Sequence, residues 1–312
     1  VRRRGLRLTA AAALIVAAAL SVFGVGEAAG VLPDWQAFAL GVVQGFTELL
    51  PISSSGHLIL VPWLGDWTYL EQHPDFNKTF DVALHLGTLI AVVAYFREDI
   101  LALVAAWFRS LGRRRIRTAE ERVAWCVLAA TIPAALAGAI GESTIEKRLG
   151  EPWQIGVFLA VFGILLWLAD RMPEDKAISD LTIGQAVAVG VAQAAALAPG
   201  VSRSGITITV ARALRFDRDA AARFSFLLLV PVVLGAVLFK GWTDVVRGTL
   251  PDGWIGPFVV GTLAAAGSGL FAIEALLGYV RRHDYSIFVI YRLAAAAFIF
   301  LLILTGVREA TF

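Results

Sequence analysis

Apolar runs close to the ~20 residues that cross the hydrocarbon of a bilayer recur along the chain, separated by short charged stretches. Six of them read as full helical spans, at about residues 79–96, 123–141, 154–171, 221–240, 254–280 and 286–306. Two more apolar segments, 36–66 and 183–215, behave differently. Each is broken by proline and glycine beside a polar cluster, Pro51 to His57 in one and Pro199 to Thr209 in the other. Interrupted backbone survives at membrane depth only against protein or a polar cavity. Each segment is therefore expected to be a re-entrant helix, loop and helix that enters and leaves by one face.

The chain begins differently. Arg2, Arg3, Arg4 and Arg7 precede an apolar run from Leu8 to Val25, and small residues follow through Gly30. Residues 1–30 thus read as a signal peptide or an N-terminal anchor, with residues 31–312 forming a single integral membrane domain. If the leading arginines stay in the cytoplasm, the chain reaches the outer face near Pro33. The arginine-rich loop from Arg97 to Arg122 and the Arg281, Arg282, His283 group then both fall inside, as the positive-inside rule requires. The same count opens the first re-entrant loop outward and the second inward.

An internal repeat agrees with that opposition. At a constant offset of 149 residues Gly41 matches Gly190, Gln44 matches Gln193, Ser53 matches Ser202, Ser55 matches Ser204 and Gly56 matches Gly205. The expected fold is an all-α membrane protein with six transmembrane helices and two re-entrant elements in an inverted-topology repeat, with halves at about 33–141 and 154–306.

Composition supports a bilayer setting. Of 312 residues 58% are hydrophobic and 17% charged, and the mean hydropathy is +0.74, more apolar surface than a soluble core of this size hides. The net charge of +2 comes from basic residues placed mainly in loops, so a nucleic-acid partner is discarded. Cys126 is the one cysteine, which excludes an internal disulfide and leaves a small buried hydrophobe as its reading.

Candidate chemistry is concentrated in the two broken segments. Gln44 and Glu48, four residues apart, share a helix face, and Ser53, Ser54, Ser55 and Gly56 can turn hydroxyls and amides toward one point, with His57 beside them. The second cluster supplies Ser202, Arg203, Ser204 and Thr207. An arginine at membrane depth costs about 2.5 to 3.5 kcal/mol on insertion scales, and its planar fork suits phosphate oxygens, as do the free amides at the start of the following helix. His85 stands in a span with no polar neighbour in sequence and reads as structural; His73 and His283 read as loop residues.

Gln44 to His57 together with Pro199 to Thr207 resembles the two motifs of the undecaprenyl-diphosphatase family linked to bacitracin resistance, and the likeness extends over nearly all of residues 33–306. That resemblance implies hydrolysis of a C55 polyprenyl diphosphate to the carrier-lipid monophosphate, in the bacterial plasma membrane, with the site facing the periplasm or exterior. The residues it implies are Glu48, His57, Ser54 and Arg203 as catalytic groups, with Ser53, Ser202 and Thr207 binding substrate and Gln44 peripheral to them; Ser55 and Ser204, from the same clusters, are also read as substrate-binding. Its pattern allows glutamate or glutamine at position 44. No tightly bound cofactor is expected; Mg or Ca bridging the diphosphate to Glu48 fits the chemistry, although no multi-carboxylate cage is present. Membrane lipids are the expected surroundings, and a homodimer is compatible. The nucleophile is a serine, Glu48 or activated water.

Two other readings compete. A phosphatidic-acid phosphatase would need a histidine a few residues after the Ser-Arg pair, and Ser204 to Arg212 contains none. A lipid transporter or flippase shares the broken-helix architecture but has no need of potential nucleophiles beside an arginine.

Overall fold

The structure is a computed structural model and describes residues 12–19, 31–240 and 250–311. Of the expected leader, residues 12–19 are helical, and the rest of 1–30 lies outside the described residues. The principal helices are α1 (Asp34–Leu49), α2 (Ser54–Gly65), α3 (Pro74–Tyr95), α4 (Arg97–Arg113), α5 (Ala119–Leu149), α6 (Pro152–Ala169), α7 (Ile183–Gln193), α8 (Arg203–Ala213), α9 (Arg218–Lys240), α10 (Ile255–Val280) and α11 (Ser286–Leu304). Among the described residues no sheet forms; the one extended pairing is an isolated bridge between Lys176 and Phe216.

Among the described residues six helices are long and apolar enough to cross a membrane: α3, the first 23 residues of α5, α6, α9, α10 and α11. They match the six expected spans. Several begin earlier than the hydropathy pattern indicates because their first turns are polar. In α5 the Thr118 hydroxyl accepts from Glu121 N at 3.2 Å and Glu121 Oε2 accepts from Thr118 N at 3.4 Å, a reciprocal cap that starts the helix before its apolar run. Outward-facing apolar side chains such as Ile140 (85% exposed) and Leu304 (84%) are what lipid contact demands.

The arginine-rich stretch expected to be a loop is largely helical. Its first part, α4, has Glu98 and Asp99 in the first turn and Arg113 in the last, which complements the helix dipole. Leu101, Val104, Phe108 and Leu111 are exposed along it at helical spacing. Hydropathy averaged over the stretch hides this amphipathic pattern.

The chain divides into two compact units: residues 1–49, 57–95 and 233–275 form one, and 50–56, 96–232 and 276–312 the other. The first is centred on Leu32, Leu40, Leu58, Phe76, Phe80, Leu84 and Phe258. Phe258 meets Phe76 and Phe80 edge-on, with centroids 5.4 and 5.6 Å away. Its helices approach closely. A side chain at Gly45 would collide with the Ser268 hydroxyl and the Ala265 carbonyl of α10.

In the second unit α11 packs on α6, and α7 packs on α5. Gly190 of α7 sits against the Ala130 backbone, leaving no room for a Cβ. At one end a buried polar knot joins four helix ends. Asp170 Oδ1 accepts from Arg212 Nε (3.0 Å) and Arg218 Nε (2.8 Å), while its Oδ2 accepts from Tyr285 N (2.8 Å). Arg212 is fully buried and also donates to the Asp170, Met172 and Phe216 carbonyls, so its charge is paired and its donors are used.

Candidate functional site

Within the first unit, α1 carries Gln44 and Glu48 one turn apart on its buried side. Glu48 is 4% exposed. An ionised carboxylate so enclosed needs partners, and one of them is His85 Nε2, 3.5 Å from Glu48 Oε2. Gln44 is fully buried, and neither its Nε2 nor its Oε1 has a hydrogen-bond partner among the described residues. Such a group is an exception among buried amides and is eased by a polar ligand or ordered water. Its counterpart in the other unit, Gln193, is buried with both amide atoms in the same condition. His57 lies one turn into α2 and is half-buried.

Within the second unit two loops meet. Ser53 and Ser202 both adopt left-handed backbone, with φ of 78° and 76°, a conformation that costs a non-glycine residue energy unless its surroundings hold it. Each precedes a helix and caps it. Ser53 Oγ accepts from Gly56 N at 3.4 Å, and Ser202 Oγ accepts from Gly205 N at 3.0 Å. Cross-links between the loops hold both in place. Gly200 N donates to Ser53 Oγ at 3.0 Å, and Ser204 Oγ donates to the Leu50 carbonyl at 2.9 Å.

Arg292, fully buried on α11, fastens the same junction. Its guanidinium donates to the carbonyls of Pro51 (3.1 Å), Gly200 (3.0 Å), Val201 (3.1 Å), Leu159 (3.1 Å) and Phe158 (3.3 Å). Backbone that turns without a regular partner thereby finds donors inside the protein.

Arg203 is the first residue of α8 and is only half-buried. Its Nη1 donates to the Ser225 carbonyl at 2.7 Å and lies 3.3 Å from the Ser225 hydroxyl. Thr207, one turn on, donates to the Arg203 carbonyl at 2.8 Å and lies 2.8 Å from the Ser225 hydroxyl. The result is a guanidinium held at the N-terminus of a helix, where partial positive charge and backbone amides favour an anion. Ser54 is buried at the first position of α2, and Ser55 follows it, half-buried.

Ser53, Ser202, Arg203, Ser204 and Thr207 are therefore brought together as one hydrogen-bonded group within the second unit. Glu48 and Gln44 belong to the first unit, with His57. Three participants escaped the sequence reading. Ser225 sits in an apolar run and gives no signal. Arg292 and His85 do, because an ionisable residue inside a span is a functional candidate by default. His85 was set aside for want of polar neighbours in sequence, but its neighbour is Glu48 on another helix. Among the described residues no group of three or more His, Cys, Asp or Glu side chains is placed to hold a metal ion.

The comparisons with known proteins bear on what such an arrangement does. Residues 37–298 match the family described as bacitracin resistance protein BacA. A protein of Gemmatimonas aurantiaca named undecaprenyl-diphosphatase is 43% identical over 267 residues, covering 85% of this chain and 96% of its own. One from Geobacter metallireducens with the same name is 45% identical over 269 residues, covering 86% and 97%. Another, from Pelobacter propionicus, is 43% identical over 273 residues, covering 87% and 97%. With the matched region embracing both loop motifs, five of the six apolar spans and most of the sixth, the chain belongs to the bacitracin resistance protein BacA family.

Proposed function

We propose that this protein hydrolyses undecaprenyl diphosphate to undecaprenyl phosphate and inorganic phosphate in the bacterial plasma membrane. The reaction recycles the carrier lipid for cell-wall synthesis and gives resistance to bacitracin. The observation that carries this reading is the pair of serine loops fastened to each other beside Arg203 at a helix N-terminus, in a chain whose relatives bear the name of that activity.

Chemically, the attacking oxygen forms a bond to the terminal phosphorus while the bond from phosphorus to the bridging oxygen breaks. The bridging oxygen leaves with the lipid. Positive charge and N–H donors aimed at the non-bridging oxygens supply most of the assistance in such a reaction. Arg203 and the first amides of α8 are suited to that task, and the Gln44 amide, without a hydrogen-bond partner among the described residues, suits a phosphate oxygen. Glu48 takes the proton from the attacking water and His57 returns one to the leaving oxygen; with Ser54 as nucleophile instead, a water deprotonated by Glu48 then cleaves the phosphoserine, releasing inorganic phosphate and restoring the hydroxyl. Ser55, Ser202, Ser204 and Thr207 hold the loops or bind the headgroup. A divalent ion, Mg or Ca, would arrive with the diphosphate and find Glu48 as its protein ligand.

The same proposal includes the architecture. At about 1.5 Å per residue α1 extends about 24 Å and α2, α7 and α8 less than 20 Å, too short for a hydrocarbon layer of about 30 Å. The matching φ values and caps at Ser53 and Ser202 support an inverted repeat of two re-entrant elements. The charge distribution supports a site opening to the periplasm or exterior.

The test is phosphate release from a C55 diphosphate by purified protein, with Mg, with Ca and with chelator. Release that disappears in both Arg203→Ala and Glu48→Gln is expected. A folded wild type that releases none would leave lipid transport as the activity.

A further inference from the structure

His85 lies on α3, a helix apolar enough to span a membrane. Its ring Nδ1 is 2.7 Å from the Asp81 carbonyl one turn earlier. A carbonyl oxygen only accepts, so Nδ1 carries the proton. The other ring nitrogen, Nε2, faces Glu48 Oε2 at 3.5 Å. The imidazole is thus gripped at both nitrogens, by the backbone of its own helix on one side and by the buried Glu48 carboxyl on the other.

We infer that His85 is a positioning residue for Glu48: the imidazole, itself locked by the Asp81 carbonyl, helps fix the direction in which the carboxylate faces the diphosphate. The inference rests on the reading of Glu48 as the catalytic carboxylate. The backbone lock matters because α3 sets the ring and the ring meets the carboxylate carried by α1. Catalytic geometry is sensitive to this kind of control.

Three measurements test it. In steady-state kinetics His85→Ala is expected to lower kcat by about 100-fold, the cost of a misplaced group, with little change in KM. His85→Gln, whose amide N–H can reach the same oxygen, should restore kcat to within a few-fold of wild type. With four histidines in the chain, nitrogen-15 histidine spectra can be assigned from His85→Gln. The His85 Nε2 resonance should then move between wild type and Glu48→Ala while the Nδ1 resonance stays, a comparison that leaves His85 in place should His85→Ala fold poorly. The inference is overturned if His85→Gln is as damaging as His85→Ala, if the loss falls on KM, or if the Nε2 resonance is the same in both proteins. Normal turnover in Glu48→Gln would instead remove the catalytic role of Glu48, so the two failures are distinguishable.

Discussion

Arg203 and Arg292 carry the same side chain and occupy opposite situations. Arg203 is half-buried at a helix N-terminus, tethered through Nη1 to Ser225. Arg292 is fully buried, and backbone carbonyls accept its N–H groups. The first is placed to meet an anion and the second to tie loops together. Arg203→Ala should therefore reduce kcat by about 10²- to 10³-fold, the usual cost of removing a donor to developing negative charge, with the melting temperature little changed. Arg292→Met should do the reverse first. It strands buried carbonyls at the loop junction, and a loss of at least about 3 kcal/mol is expected from unsatisfied acceptors, read as a drop in melting temperature in detergent. For Glu48→Gln a loss of about 10²- to 10⁴-fold in kcat is expected for a general base, with binding of the lipid substrate still measurable. At this scale much was readable in advance, because a carboxylate, a histidine or an arginine inside an apolar run stands out. The pairing of His85 with Glu48 was not readable, since the two lie on different helices.

Among elements, the contrast is between helices that hydropathy reveals and helices that only packing and capping delimit. The six spans are continuous apolar runs, and the pattern found them all. The polar first turn of α5 and the whole of α4 escaped it. Arginines dominate the composition of α4, whereas its order depends on the dipole-matched ends and the face carrying Leu101, Val104, Phe108 and Leu111. An amphipathic helix of this kind lies naturally at a bilayer surface. A nitroxide at Phe108→Cys should accordingly relax faster with lipid-soluble oxygen than with a water-soluble nickel chelate; the native Cys126 is buried and should not take label. Close helix contact sets a second expectation. Gly190→Leu would drive a side chain into the Ala130 backbone. Because backbone cannot rotate away as a flexible side chain can, a destabilisation at or above the ~1–3 kcal/mol typical of overpacking is expected, again visible as a lowered melting temperature.

For the whole molecule, the proposed orientation in the membrane rests on where the positive charges collect. The placement is checked in cells with a membrane-impermeant thiol reagent. Glu71→Cys, exposed and ahead of α3, should be labelled in intact cells, and Gly112→Cys, in the arginine-rich stretch, only after permeabilisation. The opposite pattern would reverse the topology and with it the outward-facing site. The sequence by itself determined the membrane class, the number of full spans and the positions of the two broken segments, because hydrophobic burial in lipid acts on contiguous stretches of chain and leaves its mark in contiguous residues. It also determined which residue types meet the demands of phosphate chemistry. Tertiary structure alone decided that Gly200 would donate to Ser53, that Arg292 would bind the carbonyls of Pro51 and Val201, and that His85 would face Glu48. Those contacts join residues 37 to 241 positions apart, and hydrogen bonds between such partners depend on where helices come to rest against one another, which no local pattern encodes.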